Sequence, residues 1–127
     1  MQFIDTHAHT YDEAFQGDLD ATISSAQEAR IGKILMPNID VESIEPMFAI
    51  QEKYPNCIPM MGLHPAYVKG DWEKQLEKIE SYLFADPKRF CAIGEIGMDL
   101  YWDKTYIEEQ KIAFIQQIQW AKKLDLP

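Results

Sequence analysis

The chain has 127 residues, of which 46% are hydrophobic and 26% charged, and its formal net charge is −9. That size suits one modest domain, residues 1–127, and the composition is that of a folded chain rather than a disordered one. The charge disfavours a broad cationic surface gripping many phosphates, while leaving room for bound divalent ions to supply positive charge locally.

The elements alternate along the chain. Phe3-Ile4 is a short apolar strand leading into Asp5-Thr6-His7-Ala8-His9-Thr10. Asp18 opens a helical stretch with Leu19, Ile23 and Ala26 on one face, and Arg30 and Gly32 mark its stop. Lys33-Ile34-Leu35-Met36 reads as a second strand, followed by a Pro37-Asn38 loop. Ile44, Met47, Phe48 and Gln51 predict a helix whose first turn tolerates Pro46. Ile58-Pro59-Met60-Met61 is a third strand entering Gly62-Leu63-His64-Pro65, and Trp72, Leu76, Ile79 and Leu83 form the next helical stripe. Cys91-Ala92-Ile93-Gly94 reads as a fourth strand, running into Glu95-Ile96-Gly97-Met98-Asp99. Ile107, Phe114, Ile118 and Ala121 mark a long last helix reaching Leu124, with Ile112, Ile115 and Trp120 widening its apolar surface.

Four strand–loop–helix units in succession predict an α/β fold with a mainly parallel sheet and right-handed crossovers. No apolar run approaches the ~20 residues of a membrane helix, and no basic region followed by an apolar core opens the chain. Cys57 and Cys91 stand alone, with no C-x-x-C pattern. They read as buried thiols of a reducing, cytoplasmic compartment, and zinc-ribbon chemistry is excluded.

The residues with chemistry to offer follow the strands, where α/β folds place their sites. Side chains alternate along a strand, so His7 and His9 point the same way. Two imidazoles so placed can ligate one metal ion, at roughly 2.0–2.1 Å for zinc. Their ordinary alternative is one solvated histidine beside one bonded to its own loop. Only three histidines occur in the chain, and the third, His64, also follows a strand. Glu95, between Gly94 and Ile96-Gly97, is either a polar turn residue or a carboxylate able to bridge two ions. Paired metals roughly 3.5–4 Å apart activate a water and stabilise a leaving oxygen. His64, next to Pro65, is a candidate to position a phosphate or the attacking water.

Phe-Ile-Asp-Thr-His-Ala-His at 3–9, Gly-Leu-His-Pro at 62–65 and Gly-Glu-Ile-Gly-Met-Asp at 94–99 resemble the TatD-type metal-dependent hydrolases. The resemblance runs in register to Leu126-Pro127. It implies a TIM barrel with a dinuclear metal site at its C-terminal face, and hydrolysis of phosphodiester bonds in DNA, often as a 3′→5′ exonuclease. The cofactors implied are two divalent ions, magnesium first, with zinc, manganese or nickel as alternatives. Carried over by motif, His7 and His9 bind one metal and Glu95 bridges both, while His64 and Asp99 occupy catalytic motif positions. Met98 stands where leucine is common, a volume-conserving change.

The resemblance also implies what is missing. Family members are roughly twice as long and draw further ligands from beyond the fourth unit, whereas no histidine follows His64 here. The chain corresponds to the first four βα units, half a barrel, with little or no nuclease activity expected alone. Two other readings compete. The polymerase and histidinol phosphatase family also opens on an Asp-x-His-x-His strand, although the two later motifs fit it less well. A non-catalytic half barrel that dimerises or binds a partner is the other, since an open sheet edge invites pairing.

Overall fold

The computed structural model describes residues 1–127 throughout. Strands β1 (Phe3–Asp5), β2 (Ile31–Met36) and β3 (Cys57–Pro59) form a parallel sheet in the order β1-β2-β3. Ile4 sits opposite Lys33, and Met36 opposite Pro59. Helices α1 (Leu19–Glu28), α2 (Ile44–Lys53), α3 (Trp72–Ala85) and α4 (Ile107–Leu124) follow the strands in turn. None is long and apolar enough to cross a membrane.

The predicted fourth strand is the first correction. Residues 91–94 lie beside β3, with Cys91 N–H donating to Pro59 O at 3.1 Å and Gly94 N–H to Met61 O at 3.1 Å. They do not form a regular strand. Their outer edge is held by one bond, from Ile93 N–H to Pro127 O, so the ladder that would define a strand is barely built. The segment still carries Glu95 to the same end of the sheet as the β1 and β2 loops.

A second correction concerns the stop of α1. Gly32 lies inside β2, and it is Arg30 that takes the left-handed conformation, at φ 66°. Only Ala29 and Arg30 lie between α1 and β2, so the reversal falls on whatever occupies position 30. Arg30→Gly is therefore expected to stabilise the fold by roughly 0.5–1 kcal/mol, the relief of left-handed strain less the extra chain entropy of glycine. Denaturant unfolding reads this directly.

The core gathers Met36, Ile44, Met47, Met61, Leu76, Ile79 and Leu83, all 2% exposed or less. The stripes predicted for α2 and α3 are the faces that pack. That of α4 is not. Its buried positions are Gln110, Ala113, Gln117 and Trp120, while Ile112 and Ile115 are 52% and 47% exposed. The two glutamines turn inward because loop backbone needs partners there. Gln117 accepts from Leu63 N–H at 2.6 Å and donates to Leu63 O, and Gln110 does the same for Asp99 at 2.9 and 3.0 Å. Thus α4 clasps the loops that carry His64 and Asp99.

Candidate metal centre

The His-x-His segment continues β1 past its last paired residue. Ala8 N–H donates to Leu35 O at 3.1 Å, which anchors the segment to β2 and leaves His7 and His9 free to project together. Their Nε2 atoms lie 3.0 Å apart, and each faces Glu95 Oε2, at 3.2 and 3.5 Å respectively. A cation about 2.0–2.1 Å from each donor, at tetrahedral or octahedral angles, needs donors roughly 2.9–3.4 Å apart. Two edges of the triangle fall in that range, and the third, at 3.5 Å, lies just beyond it. These residues fit a divalent ion without rearrangement of the chain.

His9 is prepared for such a role by a neighbour that sequence reasoning passed over. Its Nδ1 lies 2.7 Å from the Tyr11 hydroxyl, which itself donates to Pro37 O. With the hydroxyl proton committed to the carbonyl, Nδ1 must donate, and the lone pair of His9 is left on Nε2. Burial, and then the like charge of His7, lower the pKa of His9, against the pull of Glu95 and Asp12. The ring is neutral at neutral pH, the form a metal requires. Burial also raises the pKa of Tyr11 well above the ordinary phenol value, so the hydroxyl keeps its proton. Tyr11→Phe is expected to weaken divalent-ion binding roughly 10- to 100-fold, as loss of an orienting partner does, with calorimetric titration as the check.

His64 has the opposite polarity. Its Nδ1 accepts the Ala66 N–H at 3.0 Å, as the cap of the 3-10 turn Pro65–Tyr67, so the neutral ring carries its proton on Nε2. That Nε2–H points at Glu95 Oε1, 3.2 Å away. One oxygen of Glu95 therefore faces the lone pair of His9 and the Nε2 of His7, and the other faces a donor. His7, His9, His64 and Glu95 line one cleft of about 580 Å³ with Asp12, Phe15, Ile39 and Tyr67. Asp99 is not brought to it. It lines an adjoining cavity, and its Oδ1 accepts the Tyr101 N–H at 2.9 Å.

Glu95 is held through its backbone. Its N–H donates to Asn38 O at 2.9 Å, and Asn38 N–H donates to Gly94 O at 3.0 Å. The fully buried Asn38 side chain donates to Gly62 O and Asp40 O, both at 2.8 Å, and accepts from Ser43 Oγ at 2.8 Å. Gly62 permits the approach, because a Cβ there would lie 2.8 Å from the Gly94 carbonyl carbon and 3.1 Å from Glu95 O. Asn38 was read from the sequence only as part of a loop; its signal is a polar residue one proline beyond an apolar strand.

A parallel βα fold with a His-His-Glu donor set at the C-terminal ends of its strands defines half of a TIM barrel with a candidate metal centre. Residues 4–127 match the family model described as TatD related DNase, and the chain belongs to that family. It is 35% identical to the uncharacterized metal-dependent hydrolase YjjV of Escherichia coli (strain K12), over 99% of this chain and 49% of that one. Its identity to the 3'-5' ssDNA/RNA exonuclease TatD of Escherichia fergusonii is 28%, over 89% and 43%. The crystal structure of the E. coli YjjV protein superposes with a TM-score of 0.89, covering 98% of this chain and 48% of that chain. That of a TatD family hydrolase from Entamoeba histolytica, 22% identical over 97% of this chain and 46% of that one, gives 0.80 and shares the fold. The chain spans about half the length of the curated relatives it matches. Family membership favours the TatD reading over the polymerase and histidinol phosphatase one.

Proposed function

We propose that these residues form the first-metal half of a metal-dependent hydrolase site acting on phosphodiester bonds of DNA, with 3′→5′ exonuclease action as the specific form. The observation that carries this reading is the triangle of His7 Nε2, His9 Nε2 and Glu95 Oε2, with edges of 3.0, 3.2 and 3.5 Å. A divalent ion bound there, magnesium first among the candidates, supplies a Lewis acid that polarises a phosphoryl oxygen and lowers the pKa of water. His7 and His9 bind as neutral rings. Glu95 gives one oxygen to the ion and keeps the other beside His64. The Nε2–H of His64 is the donor that orients Glu95, or a phosphate oxygen entering the cleft. A cation at this point also reconciles a phosphate-bearing substrate with the acidic chain.

The test is nucleotide release from a 3′-labelled single-stranded oligonucleotide. The 127-residue chain alone is expected to release little, because Glu95 is the only donor in the cluster that remains for a second ion. Mixing it with the part of E. coli YjjV that it does not match is expected to raise release, with Glu95→Ala abolishing the gain. Release indifferent to both chelator and Glu95→Ala would contradict the reading.

A second reading, a self-associating half barrel, draws on the exposed Ile112 and Ile115 of α4 and on the exposed Phe3 and Ile4 of edge strand β1. A tight metal-free dimer in light scattering supports it; a monomer binding one ion counts against it.

A further inference from the structure

We propose that the cavity beside the metal cleft is a nucleobase subsite, which takes the base adjoining the phosphate bound in the cleft. The inference rests on the nucleic-acid reading above and names how that substrate is recognised. The cavity, of about 310 Å³, is lined by Tyr67, Trp102, Tyr106, Asp99, Gln110 and Lys69 among others. It lies at the small end of the ~300–1,000 Å³ of ligand sites, the scale of one heteroaromatic ring system. Tyr67 lines both this cavity and the cleft of His7, His9 and Glu95, so the two are neighbours across one side chain.

Three aromatic side chains on one small cavity offer the flat faces on which unpaired bases stack. Trp102 is 80% exposed and Tyr101 is 81% exposed, a large apolar area that packs on no core residue. Tyr101 meets Trp102 edge-on, with ring centroids 4.7 Å apart. The loop bearing them is braced. Gln110 spends its side-chain amide on the Asp99 backbone, Asp99 Oδ1 accepts from Tyr101 N–H, and Asp103 Oδ1 accepts from Thr105 N–H at 2.8 Å. Asp99 Oδ2 has no donor within the chain and is available to the N–H edge of a base. Asp99 thus gains a role in binding rather than in the metal cluster. A neutral base also suits an acidic rim that would repel a second phosphate.

Deoxyadenosine 5′-monophosphate and deoxyribose 5-phosphate, titrated in manganese, separate base from phosphate. The nucleotide is expected to quench tryptophan emission and to bind roughly 5- to 100-fold more tightly than the sugar phosphate, the range of one stacked base. Trp102→Ala, a change at an exposed loop position, should erase that preference, read by calorimetry because the change removes the fluorescent reporter, while leaving sugar-phosphate binding intact. Asp99→Asn should weaken only the nucleotide. Equal binding of the two ligands by the wild-type chain, binding of neither, or a preference that survives Trp102→Ala overturns the subsite. Shielding of Trp102 from acrylamide in a nucleotide-free dimer assigns the face to a second copy instead. His7→Ala separates this inference from the parent one: it removes the metal-dependent phosphate contribution and leaves the base-dependent quench.

Discussion

Replacing Asn38 with alanine is expected to destabilise the fold by roughly 2–4 kcal/mol, because each buried polar partner left unpaired costs roughly 1–3 kcal/mol. The partners are Gly62 O and Ser43 Oγ, whose bonds to Asn38 are buried, and the half-buried Asp40 O, which keeps a bond from Ser43 Oγ. Thermal unfolding should move down on the order of 10 °C. The same change loosens the segment that pairs through backbone with Gly94 and Glu95, so metal affinity should fall as well. A melting temperature within a degree or two of wild type would show that this hub is not what fixes the Glu95 loop.

Glu95→Ala is expected to do the reverse. Its carboxylate is 29% exposed and faces three imidazoles, so removing it should change stability by no more than about 1 kcal/mol. Divalent-ion affinity should nevertheless fall by more than about 100-fold, beyond the range seen for outer partners of a metal site. Calorimetry reads the affinity and denaturant unfolding reads the stability. The two variants therefore separate a residue that positions the site from one that is part of it. An Asn38 variant that unfolds early and a Glu95 variant that folds normally without binding metal are the expected pair.

The βα alternation and the helix faces of α2 and α3 were legible because apolar periodicity records burial directly. It failed on α4 for a physical reason. Gln110 and Gln117 are buried to satisfy backbone groups of two loops, and no hydropathy pattern registers a hydrogen bond to a distant carbonyl. The gathering of His7, His9 and Glu95 was legible from motifs at strand ends, as was the nearness of His64. What holds them was not: Tyr11 and Asn38 act through bonds spanning 26 and 24 residues of chain, and Gly62 through its close approach to Gly94. Asp99 was read by motif as part of the site, whereas the structure sets it on the neighbouring cavity.

The central claim is that His7, His9 and Glu95 together hold a divalent ion. Anomalous scattering from crystals soaked in zinc tests it most directly. One peak about 2.0–2.2 Å from His7 Nε2, His9 Nε2 and a Glu95 oxygen is the predicted result. No peak at the triangle, with zinc bound at other groups or not at all, would contradict it.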